Sequence, residues 1–186
     1  MRRQLVAAVR MLLILTLVLG VAYPLLVTGI AQLTMSHRAN GSLVTSDGRV
    51  VGSELLGQGF DADRWFQPRP GSYDPTASGP SNLGPTNPDL LDSVTQAIAS
   101  LRQRDGIVPS APIPADAVMT SASNLDPDIS PAYAALQAAR VAAARGLPVQ
   151  QILDLIDRQT AGRTFGFMGA PRVNVLLLNL ALERLA

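Results

Sequence analysis

Few side chains in this 186-residue sequence have the type and spacing that catalysis or metal binding requires. The sequence contains no cysteine, which excludes disulfides, thiolate nucleophiles and cysteine-based zinc sites. All 15 basic residues are arginines, so a phosphate-binding loop with its lysine is excluded as well. The single histidine, His37, lies just past a long apolar run, and we expect an interfacial residue there rather than a catalytic or metal-binding one.

Two pairs of carboxylates are spaced by two residues, as at the start of a calcium loop. Neither Asp61 with Asp63 nor Asp126 with Asp128 continues into the rest of such a loop, and turns explain both pairs. A hydrolase built on a serine or an aspartate pair would lack a base, because His37 is next to the apolar run. The sequence therefore predicts no catalytic residue, no metal ligand and no cofactor bound by this chain itself.

The distribution of charge argues against a nucleic-acid partner. The formal net charge is +1, but residues 37–186 hold 12 arginines and 14 acidic residues, a net charge of −2. Binding to phosphate backbones requires a basic patch or stripe. This sequence has none.

Residues 11–33 form a continuous uncharged and largely apolar segment. As a helix, 23 residues would be about 34 Å long, enough to cross a hydrocarbon core of about 30 Å. Arg2, Arg3 and Arg10 precede the segment, so the positive-inside rule predicts a cytoplasmic N-terminus at 1–10 and an extracytoplasmic domain at 34–186. This would make a single-pass protein of the cell (inner) membrane. A cleaved signal peptide, with small residues at 20–22, is the alternative.

The remaining sequence predicts a small α+β domain without a βαβ rhythm. An Asp47-Gly48 turn predicts a hairpin between 43–45 and 50–55. Short strands are expected at 64–67 and 117–120, and a strand or turn at 164–168. The stretch 57–88 is rich in glycine and proline and predicts either a flexible linker or a long ordered loop with a function.

Caps and apolar periodicity predict four helices. They begin at Pro88, Pro131, Pro148 and Val173, and the first two end before Gly106 and Gly146. The predicted buried stripes are Leu90, Leu91, Val94, Ile98 and Leu101 in the first helix, Val149, Ile152, Leu155 and Ile156 in the third, and Val175, Leu178, Leu182 and Leu185 in the last.

Five segments carry a resemblance to a known family. They are SGPSNLGPTNP at 78–88, PADAV at 114–118, SASNLDPDISP at 121–131, RVAAAR at 140–145 and GAPRVNVLLLN at 169–179. In this order, and behind an N-terminal span, they resemble the segments of the KdpC family, the small subunit of the Kdp potassium-transporting ATPase. One departure is Ala122, with Asn124 nearby, where the family pattern has glycines; of the two, asparagine better tolerates a positive φ.

The resemblance implies a non-catalytic accessory subunit of an ATP-driven potassium uptake complex. Its expected partners are a channel-like potassium-translocating subunit, a P-type ATPase subunit and the lipid bilayer. Potassium would be the transported ion, and ATP would act through the complex. The family is also described as a catalytic chaperone that raises the ATP affinity of the ATPase subunit. A membrane-anchored extracytoplasmic binding module is the alternative from another functional class.

The family-like segments supply the candidate residues for partner contact or loop bracing. Neutral hydrogen-bonding groups and one carboxylate come from the first and third segments, and two further residues come from the last. The candidates are Ser81, Asn82, Thr86, Asn87, Asn124, Asp126, Arg172 and Asn174.

Overall fold

The computed structural model describes residues 1–60 and 62–185. The chain divides into two compact units, Met1–Leu43 and Val44–Ala186. The first is a long helix and the second a small α+β domain. This organisation confirms the predicted fold class, an α+β domain that follows one N-terminal apolar helix.

The N-terminal helix consists of α1 (Arg2–Leu17), a π-helical turn (Val18–Ala22) and α2 (Tyr23–Ala39). Pro24 explains the π turn, because proline has no N–H to donate to the carbonyl four residues earlier. The helix extends beyond 11–33 at both ends, and none of its residues is buried. Among the described residues, this is the one helix long and apolar enough to cross a membrane.

The hairpin was predicted nearly at its observed position. Strands β1 (Leu43–Ser46) and β2 (Arg49–Ser53) pair across Asp47 and Gly48. These two residues have φ values of 49° and 75°, as a tight two-residue hairpin turn requires.

Two helices of the domain begin and end where their caps predict. Asn87 caps α3 (Pro88–Asp105), and Ser130 caps α4 (Pro131–Arg145) by accepting from the N–H of Tyr133 at 3.0 Å. Each helix ends at a left-handed glycine, Gly106 or Gly146. The third predicted helix is α5 (Val149–Gln159).

The predicted C-terminal helix begins two residues too early. The chain first forms a strand, β5 (Arg172–Asn174), and then α6 (Val175–Glu183). Strand β5 is the centre of an antiparallel sheet with β3 (Asp128–Ile129) on one side and β4 (Thr160–Ala161) on the other.

The strand predicted at 117–120 is wrong, because a 3₁₀ turn (Ala115–Ala117) and a bend occupy that region. Residues 164–168 form a tight turn closed by a bridge between Thr164 and Met168. A second 3₁₀ turn, Pro75–Ala77, interrupts the long loop.

The core lies between α4, α5, α6 and the sheet. Its largest fully buried side chains include Tyr133, Phe66, Ile152, Leu178 and Leu182. Two predicted core residues are exposed instead, Leu91 at the start of α3 and Val149 at the start of α5.

The strand predicted at 64–67 is also wrong, although Phe66 is completely buried. Side-chain amides replace the missing strand partner. Asn179 accepts from Phe66 N–H at 2.9 Å and donates to Phe66 O at 3.0 Å. Gln137 does the same for the backbone of Gln67, at 2.7 and 3.0 Å. The segment is held in place by these four hydrogen bonds without belonging to a sheet.

A buried ion pair joins the end of α3 to α4. Arg140 binds Asp105 and donates to the Trp65 carbonyl at 3.0 Å and to Gln137 at 2.8 Å. The carboxylate of Asp105 also accepts from Arg104 at 2.9 Å. Because both partners of the central pair are almost fully enclosed, loss of either one would leave an uncompensated charge.

Candidate partner-contact site

The eight candidate residues fall into two groups. Four lie on the exposed segment 78–88, which leads into α3. The other four lie on the loop 121–128 and on its strand neighbour β5. The carboxylate pair predicted to sit in a turn at Asp61 and Asp63 lies partly outside the described residues, because Asp61 is not among them.

The first group is shaped by local hydrogen bonds. Asn87 accepts from Asp89 N–H at 2.8 Å and so caps α3. Ser81 accepts from Leu83 N–H at 3.5 Å. Asn82 has a φ of 56°, a left-handed conformation that asparagine tolerates better than most residues. Thr86 is exposed next to the cap.

The second group begins with Asn124. It has a φ of 61° and donates to the Ser72 hydroxyl at 2.8 Å. Ala122 is not in the left-handed region, so Asn124 is the residue of this pair that adopts the conformation open to glycine.

Asp126 organises the rest of the loop 121–128. Its carboxylate accepts from Asp128 N–H at 3.0 Å and pairs with Arg69 at 3.3 Å. Its own N–H donates to the Ser121 hydroxyl at 3.4 Å. The carboxylate therefore braces its own loop and also links it to a distant part of the chain.

Arg69 is the important residue that the sequence did not single out. Besides Asp126, its guanidinium donates to Thr120 O at 3.0 Å and to Met119 O at 3.4 Å. Its own carbonyl accepts from the Tyr73 hydroxyl at 2.6 Å. Burial raises the pKa of Tyr73, so this hydroxyl stays a donor. The one available signal was the arginine's position between two prolines in a long loop.

Arg172 and Asn174 lie on β5, beside β3. Arg172 pairs with Asp128 at 3.1 Å, and both side chains are partly exposed. Asn174 donates to Glu54 O at 2.9 Å and accepts from Leu177 N–H at 3.2 Å, which caps α6. Burial raises the pKa of Asp128, the nearby Asp126 raises it further, and Arg172 opposes both.

The segment 78–88 is linked to the loop 121–128 near the start of the segment. Ser78 donates its hydroxyl, and Gly79 its N–H, to the carbonyl of Ser123, at 2.9 and 3.2 Å. Next to this link, Ser81 and Leu83 line a cleft with α3 and residues 118–122. The structure thus joins the segment 78–88 to the loop 121–128 through hydrogen bonds to the Ser123 carbonyl and does not gather the eight side chains into one pocket.

The chemistry of this surface is that of a braced scaffold. Six of the eight candidate residues use their side chains within the chain: Ser81, Asn87, Asn124, Asp126, Arg172 and Asn174. Across residues 1–60 and 62–185, no cluster of three or more histidine or acidic side chains could hold a metal ion. Contact between any of the eight and a partner stays a prediction.

Comparison with known proteins gives the family. The family model "KdpC: K+-transporting ATPase, c chain" matches residues 5–184. Similar proteins, each named potassium-transporting ATPase KdpC subunit, occur in Methylibium petroleiphilum (53% identity, 98% of each chain), Methylococcus capsulatus (52%, 96% of each) and Mycobacterium bovis (48%, 100% of each). The chain therefore belongs to the KdpC family, the C chain of K+-transporting ATPases.

Proposed function

We propose that this chain is a non-catalytic accessory subunit that holds together the channel-like and P-type ATPase subunits of a potassium uptake pump. One observation carries the proposal: the family match spans nearly the whole chain, including the long apolar helix. That helix has no buried residue, so its apolar surface requires lipid or the helices of other subunits. A subunit that packs its span beside larger partners satisfies this requirement.

The proposed topology has residues 1–10 in the cytoplasm, 11–33 in the bilayer and 34–186 outside. Arginines before the apolar segment support this direction of insertion. In this arrangement the domain covers the outward entrance of the channel-like subunit. A single span encloses no pore, so ion conduction belongs to the partners, and the proposal assigns ATP hydrolysis to the P-type ATPase subunit.

The braced loops support a role as a rigid platform. Arg69, Asp126 and Asn124 fix the loop 121–128, and the segment 78–88 is joined to it through Ser123. Loops fixed before docking lose little conformational entropy on binding. Outside the cytoplasm the domain cannot touch cytoplasmic ATP, so any gain in ATP affinity would act through assembly or through the membrane helix.

The test is purification of the tagged chain from potassium-starved membranes. We expect the channel-like and P-type ATPase subunits to co-purify, and removal of this chain to reduce potassium-stimulated ATP hydrolysis most strongly at low ATP concentration. A chain that purifies alone and leaves ATP hydrolysis unchanged would contradict the proposal.

A variant tests whether the segment 78–88 takes part. Asn82→Gly combined with Thr86→Ala removes both side chains but keeps the left-handed backbone available at residue 82. Reduced co-purification with an unchanged unfolding temperature would indicate partner contact. A lowered unfolding temperature with normal co-purification would indicate bracing alone.

A further inference from the structure

The two most exposed large apolar side chains of the α+β domain, Phe165 and Phe167, lie on one tight turn, Thr164–Met168, which we call the aromatic knob. Phe165 is 84% exposed, Phe167 73% and Met168 52%. They follow one another around a single turn, and every residue from 161 to 172 is exposed. Single exposed apolar residues are common, but three large ones on one protrusion mark an interaction surface.

The backbone of the aromatic knob is held in one conformation by hydrogen bonds. Thr164 and Met168 exchange two backbone hydrogen bonds of 2.9 and 3.0 Å, and Gly166 N–H donates to Arg163 O at 3.0 Å. The side chain of Arg163 donates to Gly169 O at 2.7 Å and closes the base. The two aromatic rings are therefore carried on a fixed backbone.

The backbone of the knob is strained. Phe165 has a φ of 53°, a conformation that costs most L residues energy. Strain of this kind is retained where the structure uses the resulting arrangement. With 84% of its surface exposed, Phe165 is not compensated by packing inside the chain. Compensation by a bound partner is the explanation that the geometry favours.

The charge around the knob indicates the kind of partner. Residues 161–172 contain two arginines and no acidic residue. Arg163 donates to a neutral carbonyl, whereas Arg172 is paired with Asp128, so Arg163 is the cation that the knob offers to a partner. A complementary surface would be an apolar pocket with an acidic rim. The outward face of a cation importer fits this description, because negative potential there concentrates the incoming ion.

We infer that the aromatic knob docks into an apolar, acid-rimmed pocket on the outward surface of the channel-like subunit. The inference rests on the proposed function and adds a specific contact to it. A preformed pocket benefits from rings held in fixed positions, whereas a fluid bilayer gains nothing from that rigidity. Phe165 and Phe167 are the anchors, and the segment 78–88 is not required for this contact.

The first experiment is assembly of the full chain with the other subunits. Phe165→Asn combined with Phe167→Ser removes both rings, and asparagine accepts the left-handed backbone. We expect roughly 30-fold weaker assembly, as for loss of one hot-spot residue or more, with an unfolding temperature that is not lowered. Leu91→Ser is the matched control, since Leu91 is 66% exposed on α3 and lies outside the knob.

The second experiment distinguishes a protein pocket from lipid. Because the chain has no cysteine, Ala170→Cys beside the knob can carry a single polarity-sensitive fluorophore. We expect the fluorophore to emit as it does in water when the full chain is reconstituted alone in phospholipid vesicles. We expect its emission to shift to the blue when the other subunits are added. A blue shift in vesicles alone would assign the knob to the bilayer and overturn the inference.

The assembly experiment distinguishes failure of the proposed function from failure of the inference about the knob. If the wild-type chain forms no complex, the proposed function fails and the inference falls with it. If the wild-type chain assembles and the double variant assembles equally well, only the inference fails.

Discussion

The side chain of Asn179 hydrogen-bonds both polar backbone groups of the buried residue Phe66. Its amide occupies the position that a neighbouring strand would take, with one bond to the N–H and one to the carbonyl of Phe66. Asn179 is itself almost fully buried, so neither water nor another group can replace it without rearrangement.

Substitution of Asn179 tests this role. Asn179→Ala would leave a buried N–H and carbonyl without partners and would open a small cavity, at a cost of about 2 to 4 kcal/mol. We expect the midpoint of thermal unfolding of the full chain in detergent to fall by roughly 5 to 15 °C. Gln150→Ala is the control, because this exposed amide donates to Asp154 on the surface of α5. Equal effects of the two variants would contradict the assignment.

Asp128 gives the domain a predictable dependence on pH. Burial and the neighbouring Asp126 raise its pKa in the folded state. The folded chain therefore holds this proton at pH values where the unfolded chain has released it. Retention of this proton stabilises the folded state. The stabilisation is fully present below the ordinary aspartate pKa of about 3.9 and is lost as the pH rises through the folded-state pKa of Asp128.

Asp128→Asn removes this titration. We expect the stability of the variant relative to wild type to increase as the pH is raised from about 3.5 to about 6, because only the wild type gains a poorly solvated charge. Unfolding midpoints measured across this range provide the test. Asp154→Asn, at an exposed position on α5, controls for the loss of one negative charge. A difference that stays constant or shrinks with pH would contradict the prediction.

Among the elements, the loop at residue 57 packs closely against the ring of Tyr73 and the backbone of Asp126. Gly57 N–H donates to Leu125 O at 2.8 Å. A Cβ at this position would lie 2.5 Å from a ring atom of Tyr73 and 2.6 Å from the Asp126 carbonyl oxygen. Only glycine permits this approach between the end of the hairpin and the loop 121–128.

A pair of glycine variants tests the close approach. Gly57→Ala should destabilise the domain by about 1 to 3 kcal/mol, because the neighbouring backbone cannot move away cheaply. Gly59→Ala should be neutral or stabilise by up to about 1 kcal/mol, since its added Cβ meets nothing within 4 Å. Comparison of the unfolding midpoints of the two variants tests this predicted difference in stability. A Gly57→Ala variant as stable as Gly59→Ala would show that the loops are not packed as described.

The elements that the sequence predicted well are those with local signals. Helices α3 and α4 have a cap and proline at one end and a glycine at the other, so their limits follow from neighbouring residues. Strands β3 and β4 are two residues long and exist only because β5 lies between them. No periodicity can appear in two residues. The segment around Phe66 has strand-like residues, but its partners are amides more than 65 positions away.

The residues around the candidate partner-contact site likewise divide into those with a local sequence signal and those without one. Asn124 could be expected to accept a left-handed backbone, because asparagine does so readily and the family pattern has glycine nearby. Arg69 could not be paired with Asp126 from the sequence, since 57 residues separate them and both lie in loops. The exposure of Leu91 likewise depends on which part of α3 the rest of the chain covers, which helical periodicity does not reveal.

At the scale of the whole molecule, the two units make different demands on their surroundings. The core of the α+β domain is built from residues between Phe66 and Leu182, all within the second unit. The helix Arg2–Ala39 has apolar side chains but no core of its own. The first unit therefore depends on an apolar environment, whereas the second has the enclosed core of an independently stable domain.

The direction of insertion is the last and most general prediction, and the absence of cysteine allows a clean test. Gln4→Cys and Gln103→Cys place single thiols at exposed positions, one before the span and one on α3. Because the arginines before the span favour the cytoplasm, a membrane-impermeant maleimide should label the Gln103→Cys chain in spheroplasts. It should label the Gln4→Cys chain only after permeabilisation. The reverse pattern would place the domain in the cytoplasm and rule out docking at the outward entrance of the channel-like subunit. An intact mass that lacks about the first 22 residues would instead indicate a cleaved signal peptide, and a chain released in that way could not anchor to its partners through a membrane helix.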